Sequence, residues 1–324
     1  MRPRRGVHAL KEAVIGAVAA VGLIGCVGAR GPLLYVADPD SDSVVVLDPS
    51  GRAPTVRIPE IRKPWDVAVS PDGTMVYVGG RGRSVAAIHT DTHAVERVEA
   101  GGLPQAVDVS PDGRALFVAN LADHTLSVIS TTSGQSLGRP RAGPRPVAVA
   151  AIPRRPAAYV VNYFSGMVSV VSTMAYRVVN TIPVGMFPVD IALSIDGRFA
   201  YVTNQGAGSV SVIDTARDTV VSTVPVGVNP TGIAMSPDGA AAYVANSGSD
   251  TVSVVSTAAD HETAVVAVGP APWGVAVSPD GAHVYVTHRR TNRVAVIDVV
   301  ARRVTAWLET DAPDGLLGIA AVPR

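Results

Sequence analysis

The chain has one cysteine in 324 residues, which excludes an internal disulfide and any Cys-x-x-Cys metal or haem site. Lysine is almost as scarce: Lys63 is the only one after Lys11, and no G-x-x-x-x-G-K phosphate loop occurs. Aromatic residues make up 5% and charged residues 17%, with 27 basic side chains balancing 27 acidic ones. Such a balance gives neither the basic field that gathers nucleic acid nor the acidic excess of a disordered solvating chain, so no nucleic-acid partner is expected. No apolar run is long enough to span a bilayer comfortably. After residue 32 no segment shows sustained helical spacing, so an all-β chain is expected.

The N-terminus reads as an address. Arg2, Arg4, Arg5 and Lys11 precede an apolar run over 13–24, followed by Gly25 and Cys26, the order of a secretory signal. Leu23-Ile24-Gly25-Cys26 resembles a bacterial lipobox, which implies a signal peptide over 1–25, lipidation of Cys26 and a tether over 26–32. Acyl chains contribute ~0.8 kcal/mol per buried methylene and would hold the exported protein on the outer side of the cytoplasmic membrane or elsewhere in the cell envelope.

What dominates the remainder is repetition. Seven aromatic-Val pairs recur at near-constant spacing, among them Tyr35-Val36, Tyr77-Val78, Phe117-Val118 and Tyr285-Val286. A period in the low forties with strand-like alternation marks propeller blades. Within a unit such as 230–268, four short strands alternate with turns, and Ser-Pro-Asp-Gly (236–239) presets the first reversal. Repeat four departs from this pattern, with Ile152-Pro-Arg-Arg-Pro156, so its reversal must be built differently. The array is out of phase at its ends: it enters at Leu33 on a second strand and leaves at Leu317–Val322 on a first strand. A seven-bladed propeller of four-stranded antiparallel blades is therefore expected over 33–324, closed by the C-terminal strand joining the N-terminal blade.

Tyr201-Val-Thr-Asn204, Tyr243-Val-Ala-Asn246 and Phe117-Val-Ala-Asn120, each followed by a Val-rich strand and Val-Gly-x-x-Pro or a close variant, resemble the YVTN family of β-propeller repeats. The resemblance covers 33–324. It implies the fold; related propellers include lactonase-like enzymes, surface-layer proteins and binding scaffolds.

Candidate chemistry collects where inner strands begin. Trp65 and Trp273 hold equivalent positions and could form an aromatic platform for a ligand or plug the channel. Asp66, Asp108 and Asp190 fall on inner strands where other repeats carry Ala or Gly. They could hold a divalent cation, the one cofactor the sequence leaves open, or bond the backbone of neighbouring blades. His288 and Arg289 follow the second strand of repeat seven and are further ligand-binding candidates. Asp38-Pro-Asp40-Ser-Asp42 begins like a calcium loop, but Ser43 and Pro49 break the pattern. Gly134-Gln-Ser136-Leu-Gly138 lacks the following helix of a nucleophile elbow. The leading expectation is a monomeric, non-catalytic binding or scaffolding propeller that meets a protein or glycan partner through loops on one face. The alternatives are a lactonase-like hydrolase or streptogramin-lyase-like enzyme, and an envelope-structural protein.

Overall fold

The computed structural model describes residues 31–51, 55–311 and 315–324. The expected signal peptide over 1–25, Cys26 and most of the expected tether over 26–32 lie outside these residues. The described chain forms seven antiparallel sheets of four strands each. Six are sequential: blade 2 spans 66–99, blade 3 104–138, blade 4 146–183, blade 5 188–225, blade 6 230–267 and blade 7 272–309. Blade 1 combines Leu33–Asp38, Ser43–Leu47 and Val56–Ile58 with the inner strand Ile319–Val322. Leu33 pairs with Val322 and Val36 with Ile319, so the ring closes as its out-of-phase ends require.

Alternation turns one face of each strand toward each neighbouring blade, and apolar residues fill both. Seven hydrophobic clusters result, one at every seam: Tyr243 and Val252 of blade 6 meet Val275 and Val284 of blade 7 in one, and Tyr35 and Val46 of blade 1 meet Val67 and Val76 of blade 2 in another. The seven repeat aromatics are all buried, from Tyr35 at 0% exposure to Tyr77 at 5%.

Inner strands start at one face, here called the top, and turn back at the bottom. There Ser110 Oγ donates to Asp112 Oδ1 at 2.6 Å and accepts from the Ala115 N–H at 2.9 Å, while Gly113 takes φ +73°. The Ser110 hydroxyl holds the Asp112 carboxyl below its usual range. In blade 4 the positive φ moves one place earlier, to Arg154 at +63°. Arg155 then reaches blade 5, donating to both oxygens of Asp218 at 2.8 and 2.6 Å. The Tyr159 hydroxyl joins the same carboxylate at 2.6 Å. An inter-blade ion pair thus replaces the Ser-Asp turn.

Candidate functional site

The top face is built from loops that differ while the strands beneath them repeat. A cavity of about 490 Å³ opens at the channel mouth. Four repeat positions supply its wall. The residue after each inner-strand proline gives Trp65, Gln105, Val147, Val189 and Trp273; the residue before it gives Leu103 and Arg145. The third position follows the Asn that ends the second strand and gives Leu121, Tyr163 and Gln205, with Arg289 at the same place in blade 7. The fourth lies two places after the inner-strand proline, where Asp66, Ala148, Asp190, Gly232 and Gly274 reach the cavity.

The residue before each proline is held in the left-handed region: Lys63, Leu103, Arg145, Phe187, Asn229 and Ala271 have φ between +40° and +58°. Gly315 takes the place in blade 1, at +86°. A side-chain-bearing residue there is strained, and the following proline disfavours helical geometry further. Backbone bonds hold it: the Ala271 carbonyl accepts from the Arg289 N–H at 2.9 Å, and that of Phe187 accepts from the Gln205 N–H at 2.9 Å. The strained loop and the third wall position are therefore locked together.

Two aromatic arms line the mouth. Trp65 and Trp273 meet edge to face, with ring centroids 6.1 Å apart at 89°. The Arg289 guanidinium lies 4.8 Å from the Trp273 centroid and 6.0 Å from that of Trp65. Both indoles pack partly on the seam between blades 1 and 2 and present their remaining surface to the cavity, so packing and platform coexist. On the other arm, Tyr163 stacks on Phe187 at 5.2 Å and donates to Gln205 Oε1 at 3.0 Å. Arg145 sits 4.7 Å over Phe164.

Beneath the mouth, the three inner-strand carboxylates do not form a metal site. Among the described residues no group of three or more His, Cys, Asp or Glu side chains is placed to hold an ion. Each Asp instead clips the next blade. Asp66 Oδ2 accepts from the Val107 N–H at 3.0 Å, Asp108 Oδ2 from Ala151 at 2.7 Å, and Asp190 Oδ2 from Ile233 at 3.0 Å. Their other oxygens accept from the N–H groups of Val67, Val109 and Ile191. Of the two sequence readings, neighbouring-blade backbone therefore accounts for them. Burial inside the ring raises all three acids, Asp108 to about 7 and Asp190 to about 7, the latter helped by the charge of Asp66.

Three of the other four seams near the axis use close backbone approach. A Cβ on Gly232 would stand 2.5 Å from the Trp273 carbonyl oxygen, and one on Gly274 2.6 Å from that of Leu317. At Gly318 it would stand 2.7 Å from the Trp65 oxygen, to which the Gly318 N–H donates at 3.0 Å. Both Trp backbones are thus pinned from the blade before.

His288 corrects the sequence expectation of a ligand contact. It is 0% exposed and fills the position of the buried Asn residues. Asn120 Nδ2 donates to Ser127 Oγ at 2.9 Å, whereas His288 bonds the Val268 carbonyl through Nε2 at 2.7 Å and approaches the Arg293 carbonyl through Nδ1 at 3.2 Å. Burial lowers its pKa. Asp38 takes the same position in blade 1 and pairs with Arg57 at 2.7 Å; the neighbouring Asp40 meets Lys63 at 3.4 Å. This acidic loop is matched by cations of its own chain.

Comparison with known proteins agrees with this architecture. The family model "Lactonase, 7-bladed beta-propeller" matches residues 135–267. Antigen Lp49 of Leptospira interrogans is 33% identical over 111 residues, 29% of this chain and 24% of that protein, so the match spans about a quarter of the relative's length. Among solved structures, hydrazine synthase of Kuenenia stuttgartiensis superimposes with a TM-score of 0.67 at 23% identity, over 81% of this chain and 86% of that one. A protein of unknown function from Desulfotomaculum acetoxidans gives 0.78 at 18% identity, over 90% and 99%. The dihydro-heme d1 dehydrogenase NirN gives 0.66 at 19% identity, over 87% and 64%. At these identities the likeness is one of fold.

Proposed function

We propose that this chain is a binding propeller of the YVTN type that takes a ligand or partner at its top face, exported and lipid-anchored through Cys26. The cavity between two aromatic arms carries the reading: a mostly apolar recess with a few convergent polar groups is the usual form of a ligand site. The channel carboxylates support a non-catalytic role, because backbone N–H groups occupy them where an acid-base pair would need a reacting atom. Leu33 stands at the bottom, where Pro323 lies beside the blade 2 turn at Gly73. An anchor preceding Leu33 leaves the mouth free for an extracytoplasmic protein or glycan partner or a small molecule.

The indole N–H resonances of the purified chain titrated with a small-molecule fragment library test the reading. Shifts of Trp65 and Trp273 with Trp307 unmoved are expected; a library that moves neither cavity indole would remove it. Membrane fractionation tests the anchor, with Cys26→Ala expected in the soluble fraction. The family-model match favours a second reading, a lactonase-like hydrolase. Accelerated opening of γ- or δ-lactones, lost in Asp66→Asn, would favour it over the first.

A further inference from the structure

We infer that the cavity takes a small organic anion with a flat apolar body, its acidic group on Arg289 and its body against Trp65 and Trp273. This deepens the binding reading and rests on it. Among the described residues the ion pairs engage Arg57, Lys63, Arg155, Arg217, Arg293 and Arg324, with one His–Glu contact. The two arginines of the mouth, Arg145 and Arg289, belong to none of them. Each instead lies over aromatic rings. A guanidinium stacked on a ring keeps its in-plane N–H edge for an acceptor, in the fork that matches a carboxylate or phosphate.

Asp66 and Asp190 also line the cavity, but both oxygens of each face backbone N–H groups and neither forms an ion pair with Arg145 or Arg289. The perpendicular indoles make a corner that accepts one flat apolar face. A cationic ligand would meet two unmatched positive charges. A neutral sugar could stack on the indoles but would leave both guanidinium edges without an anionic acceptor. Beside Arg289 the recess continues into a polar pocket of about 390 Å³ with Asn229, Ser247, Asp250 and Arg290 in its wall, where Asp250 Oδ1 accepts from the Ala271 N–H at 2.9 Å.

The test uses three probes of one shape and different charge: 1-naphthoate, 1-naphthalenemethanol and 1-naphthylmethylammonium. They are titrated to millimolar concentration against the purified chain while the three indole N–H resonances are followed. Trp307, on the outer strand of blade 7, is the internal reference. Naphthoate is expected to move Trp65 and Trp273 with an affinity at least about tenfold above the alcohol, and the ammonium to bind weakest. Arg289→Gln should bring naphthoate within about twofold of the alcohol while the alcohol still binds. Arg303→Gln, on the exposed outer strand, should leave the ratio unchanged. Equal binding of all three probes, or a preference that survives Arg289→Gln, overturns the anion assignment and leaves the binding reading standing. Failure of every probe to move either cavity indole overturns both.

Discussion

At the scale of single residues, the inner wall trades charge against backbone proximity. Asp66, Asp108 and Asp190 each accept one N–H from the neighbouring blade and one from the next residue of their own strand, and burial makes their ionised forms costly. The unfolded chain ionises these acids near pH 4, whereas folding raises them, Asp108 and Asp190 to about 7. Between those limits the folded chain binds more protons, so their contribution is complete below pH 4 and fades as pH rises through 7. The melting temperature is expected to fall over that window, and Asp108→Asn to flatten the fall. An unchanged slope in the variant would mean that Asp108 is not among its sources. At Ala271 the strain is conformational. Glycine relieves the cost of positive φ at some expense in chain entropy, so Ala271→Gly should stabilise by about 0.5–1 kcal/mol in urea unfolding.

Elements show how the repeat tolerates exceptions. Blade 4 lacks the Ser-Pro-Asp-Gly turn and recruits Asp218 from the next blade through Arg155. The pair is partly exposed, its side chains 32% and 11% accessible, so solvent screens part of its worth. Arg155→Ala should cost about 1 kcal/mol, read as a lower urea midpoint with an unchanged slope, and should leave the cavity indole resonances in place. Gly318→Ala acts at the seam carrying Trp65. The added methyl would press on the Trp65 carbonyl and the Asp66 Cα, 2.8 Å away. A loss of about 1–3 kcal/mol together with a displaced Trp65 resonance is expected; a shift at Trp307 alone would contradict this coupling.

Blade number, strand order and ring closure were legible because each is a property of the repeat period and of where the array begins and ends. The candidate site was legible in part. Trp65, Trp273 and Arg289 stand out as large or charged residues at wall positions that vary from blade to blade. Arg145, Tyr163 and Gln205 escaped notice although they hold equivalent variable places, one before each inner-strand proline or one after each Asn. Comparing every repeat position within the chain would have found them. The carboxylates were legible only as two alternatives, for a physical reason: composition cannot distinguish an Asp aimed at an ion from one aimed at a backbone N–H one blade away. His288 stands where other repeats carry Asn, as Tyr285-Val-Thr-His288 against Tyr201-Val-Thr-Asn204 shows; that this position is buried shows only in the structure.

For the whole molecule, closure rests on four residue pairs between the strand at 33–38 and the strand at 319–322. Removing 319–324 should expose two apolar inter-blade faces, and light scattering should then report larger particles than the intact chain gives. A ring whose opening strand waits for a partner from the far end of the polypeptide cannot lock while it is still emerging. Until then the nascent wall has two sticky sides, and partnership with a holding chaperone would be a condition of arriving intact.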